Sequence, residues 1–267
     1  MHKIISRIHT LIWYLRRPGL YPELFREGKR FLLKTNTQLD YSKEANIWCE
    51  KLSINTKVAL KIITGNNTFE PIRKKYQKIF EKSQEIANEC PVTMGGPGNV
   101  DLLYWISEHL SAKKVVETGV AYGWSSLAIL LSIVQRENTA LTSTDRPYPK
   151  LNNDDYVGCV VPDNFRSHWQ IIKMVDRDAL PIALKKFHTI DMCHYDSDKS
   201  YEGRMWAYPL LWEAIRPGGC FISDDINNNL AFHDFCKKLD KKPFIIETED
   251  ELGIKYVGVL IKTNQDL

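Results

Sequence analysis

This 267-residue sequence lacks an excess of one charge, a long apolar run and a paired cysteine motif. The formal net charge is only +3, so charge gives no reason to expect a nucleic-acid partner. No segment approaches the ~20 apolar residues that a membrane-spanning helix needs. The six cysteines show neither Cys-x-x-Cys nor zinc-binding spacing. With 43% hydrophobic and 26% charged residues, the composition is that of a globular protein, which excludes disordered, fibrous and membrane-spanning classes.

Targeting signals are also weak. The amino-terminal stretch interrupts its apolar residues with Arg7 and His9 and has no small-residue cleavage site, which is atypical of a signal peptide. Separate thiols in a chain of this size are typical of a reducing compartment. We therefore expect a cytoplasmic protein.

Positive charge is concentrated at the amino-terminal end. Residues 1–34 carry eight Lys and Arg but only two Glu. Within residues 3–17, apolar side chains recur every three or four positions, which predicts an amphipathic helix that Pro18-Gly19 ends. Such a helix packs on the rest of the protein, on a second copy of the chain, or on the anionic inner surface of a membrane. In each case we expect it to lie outside the active site.

The chain changes character near residue 91. Residues 42–90 show helical patterns, and a glycine-rich segment follows at 91–98. Beyond it, short apolar strands alternate with helices, which predicts a mostly parallel sheet covered on both faces. We therefore divide the chain into an N-terminal helical extension (1–91) and an α/β domain (92–267). Seven strands are predicted, at 115–116, 140–144, 171–175, 188–195, 220–223, 244–247 and 256–262.

The strongest local pattern is a glycine loop within residues 115–126. A hydrophobic strand reaches Glu117, the chain turns through Gly119 and Gly123, and a helix follows. Glycine is needed where the backbone adopts positive φ or approaches a ligand closely, and the helix start presents free N–H groups to an anion. Asp145 ends the next predicted strand, where a carboxylate can accept hydrogen bonds from ribose hydroxyls. The pattern predicts a nucleotide-type cofactor site.

A nicotinamide dinucleotide site would require Gly-x-Gly-x-x-Gly, whereas this loop has Gly-x-x-x-Gly with an acid two residues before the first glycine. The loop resembles instead the first motif of class I S-adenosylmethionine-dependent methyltransferases. The resemblance implies that Ser125 binds the cofactor carboxylate, that Glu117 orders the loop and the cofactor amino group, and that Asp145 holds the ribose. Asp178-Ala179 would lie near the adenine. The implied cofactor-binding residues are Glu117, Gly119, Ala121, Tyr122, Gly123, Ser125, Asp145, Asp178, Ala179 and Asp196.

The resemblance continues along residues 92–267. The segments 191–201, 216–219 and 222–226 are similar to the fourth and fifth strands of small-molecule O-methyltransferases, a subgroup that modifies sugars and is related to the catechol-type enzymes. This implies a Rossmann-like, doubly wound, mostly parallel seven-stranded sheet with an antiparallel final strand. It also implies methyl transfer to a hydroxyl of a small-molecule acceptor, for which a sugar or glycoside is expected.

Four aspartates follow two strands that should end at the same edge of the sheet: Asp196, Asp198, Asp224 and Asp225. Carboxylates this close repel one another unless a cation or protons compensate, and oxygen ligands suit Mg²⁺, Mn²⁺ or Ca²⁺. By resemblance to catechol-type enzymes, the metal ligands would be Asp196, Asp224 and Asp225, with Mg²⁺ as the expected ion. The alternative is that these carboxylates order the loops and hold the cofactor.

Lys199 and Asp196 are the predicted catalytic residues. A lysine near a metal and the cofactor sulfonium would have its pKa lowered by like charge, so Lys199 would accept the proton of the acceptor hydroxyl. The alternative for Lys199 is a surface lysine paired with Asp198.

The connection 146–168 is long enough to predict a lid that carries Tyr148, Tyr156 and Phe165. Two other functions stay open on the sequence alone. One is a catalytically silent relative that serves as a binding or scaffold protein. The other is a nicotinamide-dependent oxidoreductase, which the missing third glycine disfavours.

Overall fold

The computed structural model describes residues 11–32, 38–146, 153–250 and 253–266. They form one eight-stranded sheet with helices on both faces. The strands are β1 (Ser53–Asn55), β2 (Lys114–Thr118), β3 (Ala140–Thr144), β4 (Trp169–Ile172), β5 (Ile190–Tyr195), β6 (Ile215–Ser223), β7 (Phe244–Asp250) and β8 (Gly253–Ile261).

Besides the helical residues 11–15, ten α-helices of the described ranges surround the sheet. They are α1 (Tyr21–Leu32), α2 (Gln38–Leu52), α3 (Thr56–Thr64), α4 (Ile72–Lys75), α5 (Gln77–Glu89), α6 (Val100–His109), α7 (Trp124–Ile133), α8 (Asp176–Lys185), α9 (Tyr201–Ala214) and α10 (Ala231–Lys238). No described helix is both long enough and apolar enough to cross a membrane.

The strand order is β1-β7-β8-β6-β5-β2-β3-β4. Strands β2 to β6 run parallel to one another, and β8 is antiparallel to both β6 and β7. The predicted Rossmann-like fold, with seven strands and an antiparallel final strand, is therefore confirmed. An eighth strand, β1, is added at the edge, parallel to β7.

The central strands are buried along most of their length because helices cover both faces of a parallel sheet. Four of the five residues of β2 are buried, and so are all but one residue of β5. Some predicted boundaries were wrong. The strand predicted at 171–175 is β4 at Trp169–Ile172, and the sequence pattern also favours a helix that begins at Pro181. Pro181 instead lies inside α8, which begins at Asp176. This earlier start brings an acidic first turn close to the carboxyl end of β4.

The N-terminal extension packs into the same core as the α/β domain. Leu60, Ile72 and Phe80 are buried in the apolar cluster that includes α6 and α7, and β1 pairs with β7. A division after residue 91 stays a prediction. The sheet and its core draw residues from both sides of that position.

Of the predicted N-terminal helix, residues 1–10 lie outside the described residues. Residues 11–15 are helical, and a 3₁₀ turn begins at Pro18. Trp13 and Tyr14 are buried, whereas Leu11 and Leu15 of the predicted apolar stripe are exposed. The described part of the stripe therefore faces away from the core, and two aromatic side chains make the contact with the protein.

Candidate cofactor and active site

A cavity of about 240 Å³ opens at the carboxyl edge of the parallel strands. It is lined by the residues that follow β2, β3 and β5 and by the first turn of α8, together with one residue of α1. The lining residues are Glu23, Gly119, Asp145, Arg146, Val175, Asp176, Arg177, Asp196, Ser197, Asp198 and Lys199. The cavity thus lies where an α/β sheet is expected to bind its ligand.

The two glycines of the loop allow backbone segments to approach one another. Gly119 has φ 79°, and a Cβ there would overlap the carbonyl oxygen of Asp196. Gly123 has φ 95°, and a Cβ would lie 2.9 Å from the Cα of Gly158. A side chain at either position would force the backbone apart. Gly119 lines the cavity, whereas Gly123 contacts the segment that follows β3.

Asp145 has one carboxylate oxygen engaged and one free. Its Oδ1 accepts hydrogen bonds from the backbone N–H of Val120 (2.8 Å) and Ala121 (3.4 Å). Its Oδ2 is buried and has no hydrogen-bond partner among the described residues. Burial raises the pKa of Asp145, against the lowering effect of the two N–H groups. A buried, unpaired carboxylate oxygen at a cavity wall fits a ligand hydroxyl, as predicted for the ribose.

Asp176, and not Asp178, is the acid of α8 that lines the cavity. Its carboxylate accepts hydrogen bonds from the hydroxyls of Ser197 and Thr144 (3.2 Å for Thr144), and burial raises its pKa. Asp178 instead faces the Arg26 guanidinium, 3.4 Å away, and Ala179 is fully buried. Sequence reasoning missed Asp176, although it is the first acid after β4.

Glu117 is fully buried behind the loop. Its Oε2 accepts hydrogen bonds from the hydroxyls of Ser126 (2.5 Å) and Ser143 (2.7 Å). This fits the predicted role in ordering the loop. Glu117 is absent from the cavity lining, so the geometry gives no support for its predicted contact with the cofactor amino group.

Other loop residues predicted to bind the cofactor also lie outside this lining: Ala121, Tyr122, Gly123 and Ser125. The Tyr122 hydroxyl donates to the carbonyl of Val92 (2.9 Å), which fastens the glycine-rich segment to the loop. Ser125 is half-buried in the first turn of α7. The roles of these residues stay predictions.

The acidic cluster is compensated by protein cations. The Lys199 ammonium contacts Oδ1 of Asp196 and lies 3.0 Å from Oδ2 of Asp225. The third predicted metal ligand, Asp224, has its Oδ1 3.3 Å from Nε2 of His194. Among the described residues, no group of three or more His, Cys, Asp or Glu side chains is arranged to hold a metal ion. This arrangement does not fit the predicted Mg²⁺ site, because Lys199 stands between two of its ligands.

The carboxylates that the protein places around Lys199 act against the predicted lowering of its pKa. Burial lowers the pKa of Lys199, but the carboxylates of Asp196 and Asp225 raise it by more, so that the net change is upward. The predicted downward shift assumed a metal and a sulfonium as the nearest charges. Lys199 is therefore a cation here. Its predicted alternative partner, Asp198, lines the same cavity.

Two buried residues support the acidic cluster and were missed from the sequence. His194 lies in β5 with its Nδ1 3.5 Å from Oε1 of Glu117, so it stands between the loop acid and Asp224. Arg204 of α9 donates to the carbonyls of Asp224 (3.1 Å) and Asp225 (2.9 Å). The only sequence signal for His194 and Arg204 was that each is a polar residue inside an otherwise largely apolar segment.

The described part of the predicted lid packs on the glycine loop. The N–H of Gly158 donates to the Ala121 carbonyl (2.9 Å), and the N–H of Val160 donates to the Tyr122 carbonyl (3.1 Å). Phe165 is buried and Tyr156 half-buried, whereas Tyr148 lies outside the described residues. Residues 153–168 thus brace the loop and do not line the cavity.

The helix that follows the predicted N-terminal helix reaches the cavity, and the role of the predicted helix itself stays a prediction. Glu23 of α1 is one of the lining residues. The hydroxyl of Tyr14 accepts a hydrogen bond from Arg146, another lining residue (3.2 Å). The apolar periodicity used for the prediction carries no information about these polar contacts.

Known proteins resemble this chain in one domain and in fold. Residues 116–226 match a family described as a methyltransferase domain. An O-methyltransferase from Bacillus cereus, solved with S-adenosylhomocysteine, superimposes with a TM-score of 0.55 at 12% identity over 80% of this chain and 100% of that one. The O-methyltransferase TomG from Streptomyces achromogenes, solved with S-adenosylmethionine, gives a TM-score of 0.52 at 14% identity over 80% of this chain and 98% of that one.

A third structure, a putative O-methyltransferase from Klebsiella pneumoniae, gives a TM-score of 0.52 at 12% identity over 81% of this chain and all of that one. No curated protein matches the chain in sequence. At these identities the structures show a common fold, and the domain match covers the loop, Asp145 and the acidic cluster. Residues 116–226 therefore match a methyltransferase domain, and the chain has the fold of these O-methyltransferases.

Proposed function

We propose that this protein transfers the methyl group of S-adenosylmethionine to a hydroxyl oxygen of a small molecule. The observation that carries the cofactor assignment is the free, buried Oδ2 of Asp145 at the cavity wall. The assignment to oxygen follows from the acidic segments after β5 and β6 and from the related structures, which are O-methyltransferases.

The chain would act mainly by position. The cofactor would supply an electrophilic methyl carbon, so that an oxygen–carbon bond forms as the carbon–sulfur bond breaks. The hydroxyl proton would pass to the carboxylate of Asp196, which lines the cavity. Holding the reactants in line contributes up to ~7–11 kcal/mol in well-oriented systems. Lys199 lines the cavity, and its ammonium is fixed by Asp196 and Asp225. There it would donate a hydrogen bond to the acceptor oxygen and stabilise the negative charge that develops on it.

The acceptor we propose is a polyhydroxylated molecule, a sugar or glycoside. A second cavity, of about 420 Å³, lies between α2 and the turn that follows β6. It is lined by Ser42, Lys43, Asn46, Ile47, Asn227 and Asn228. Amide and hydroxyl groups suit sugar hydroxyls, and Asn227 lies two residues beyond Asp225. This surface would hold the part of the acceptor that is remote from the methylated oxygen.

We propose that Lys199 and His194 supply the positive charge for which the sequence predicted a divalent cation. Methyl transfer should then survive excess chelator. Loss of activity on chelation, with recovery on adding Mg²⁺ or Mn²⁺, would restore the predicted ligands Asp196, Asp224 and Asp225.

We place the protein in the cytoplasm, because all six thiols are unpaired in the described residues. The exposed apolar residues Leu11, Leu15 and Phe25 are 46%, 53% and 77% accessible, and the basic Arg16 follows Leu15 in the sequence. We propose that this face meets either the inner membrane surface or a second copy of the chain. Binding to anionic vesicles that salt abolishes would support the membrane, whereas a salt-insensitive dimer in sedimentation would support the second copy.

The test of the proposed function is calorimetry with S-adenosylhomocysteine and with NAD⁺. S-adenosylhomocysteine should bind and raise the melting temperature, and NAD⁺ should do neither. Binding of NAD⁺ alone would favour the oxidoreductase. Binding of S-adenosylhomocysteine without methyl transfer to any polyhydroxylated acceptor would favour the silent relative.

A further inference from the structure

An acidic side chain from outside the methyltransferase domain lines the cofactor cavity. Glu23 lies in the first turn of α1, is 6% exposed, and contributes to the same wall as Asp145 and Arg146. Glutamate is almost never this buried unless it is paired. Its burial therefore depends on the partners that the structure gives it.

Two arginines hold Glu23 in place and tie α1 to the cavity. Oε2 of Glu23 accepts from Nε of Arg26 at 2.6 Å, and Oε1 lies 3.4 Å from Nη1 of Arg146. Arg26 also reaches Oδ2 of Asp178 at 3.4 Å. Arg146 directly follows Asp145, the residue with the free carboxylate oxygen. Glu23 is therefore linked directly to the residue after Asp145, and through Arg26 to the first turn of α8.

We propose that Glu23 is a binding residue for the adenosine part of the cofactor and that α1 forms the wall on that side of the cavity. Glu23 accepts a hydrogen bond from a donor of the adenosine and holds Arg146 against the ligand. This proposal rests on the proposed function, because it assigns a role in the same cofactor site. It extends that site to a helix more than 80 residues away from the matched domain in sequence.

The substitution Glu23→Gln tests this role because it preserves the shape of the side chain. The amide oxygen can still accept from Arg26, so the helix should stay docked, but the negative charge that faces Arg146 and the ligand is lost. Hydrogen bonds to charged groups are about twice as strong as neutral ones. We expect S-adenosylhomocysteine to bind about tenfold more weakly. The control is Glu44→Gln, the same change at an exposed position of α2.

Adenosine alone separates a binding role from a general structural one. If Glu23 contacts the adenosine part, Glu23→Gln should weaken adenosine and S-adenosylhomocysteine by similar factors, while the melting temperature of the free protein changes little. Amide hydrogen exchange in residues 21–32 should slow when S-adenosylhomocysteine binds the unaltered chain, and should slow less in the variant.

Three results would overturn the proposal. One is an affinity of Glu23→Gln within twofold of the unaltered chain. Another is weaker binding of S-adenosylhomocysteine with no change for adenosine. The third is an exchange rate in α1 that the ligand does not alter. Failure of the unaltered chain to bind S-adenosylhomocysteine at all would overturn the proposed function, and this inference with it.

Discussion

Substitution of Asp145, which has one free carboxylate oxygen, should change the affinity for S-adenosylhomocysteine and the stability of the free protein in opposite directions. In Asp145→Asn, the amide oxygen can still accept from the N–H of Val120, now 2.8 Å from Oδ1. The NH₂ group takes the place of the unpaired Oδ2. Shape and backbone contacts are kept, whereas the charge and one acceptor are lost.

The size of the effect of Asp145→Ala follows from the loss of one hydrogen bond between the ligand and a carboxylate oxygen. A hydrogen bond to a charged group contributes about 1.5–3 kcal/mol, so Asp145→Ala should weaken S-adenosylhomocysteine roughly ten- to 150-fold. Asp145→Asn should lose less, because a ribose hydroxyl can accept from the new NH₂ group. Burial raises the pKa of Asp145, so its ionised form destabilises the fold above the ordinary carboxyl range. Asp145→Asn should therefore raise the melting temperature of the free protein at neutral pH.

Calorimetry at pH 7.5 gives the affinities, and thermal unfolding with and without ligand gives the stabilities. Asp163→Asn is the matched control, because its side chain is fully exposed. If Asp145→Ala binds S-adenosylhomocysteine within twofold of the unaltered chain, the free oxygen does not meet the ligand and our placement of the cofactor is wrong.

Three other changes test separate features. Lys199→Met should reduce methyl transfer at least about 100-fold and keep the S-adenosylhomocysteine affinity within about threefold. The control Lys57→Met, at an exposed position, should change neither quantity. An equal loss of methyl transfer and affinity in Lys199→Met would make Lys199 a cofactor ligand. Gly158→Ala should lower the melting temperature by more than Gly65→Ala. Both glycines have φ 76°, but only at Gly158 would a Cβ overlap the Trp169 ring. The two variants should differ by about 1–3 kcal/mol in the free energy of unfolding, and equal effects would refute the packing argument. Asp191 is partly buried, which raises its pKa, but the Arg216 guanidinium at 2.6 Å and two backbone N–H groups lower the pKa below its ordinary value. The contribution of the Asp191 carboxylate to the free energy of unfolding is therefore present above about pH 4 and is lost as the pH falls through the native pKa. Asp191→Asn should therefore cost about 1–3 kcal/mol at pH 7, and the difference in urea unfolding should shrink below about pH 4; a pH-independent difference would contradict this assignment.

The seven-stranded fold could be predicted because each buried strand is a short apolar run between helices. β1 could not be predicted in this way. Its three residues, Ser53–Asn55, lie between two helices and carry no strand pattern of their own. Their conformation depends on the backbone of β7, almost 190 residues later in the chain, with which they pair. Pairing at a sheet edge is a tertiary effect that local pattern cannot report.

The candidate site was also predicted only in part from the sequence. The convergence of Asp145, Asp196 and Asp224 follows from their positions after parallel strands, so the sequence predicted it. The compensating charges were harder to predict, since an ammonium and a metal ion both satisfy a group of carboxylates. Lys199 was recognised, but its contacts with Asp196 and Asp225 are known only from the geometry. Glu23 had no signal, because a single acid on a charged helix is usually solvated.

The glycine loop has a consequence for how relatives of this protein should be interpreted. Gly119 faces the backbone of Asp196, and Gly123 faces Gly158, so both are required by contacts of the protein with itself. A relative that has lost catalysis would still need these glycines in order to fold. It would have no such need for the free oxygen of Asp145. Substitutions at Gly123 and Gly158 should also occur together among relatives, because the two backbones are in contact and a side chain at one position would occupy the space of the other. The acid at position 145, and not the glycine spacing, is therefore the residue by which a working member of the group can be distinguished from a silent one.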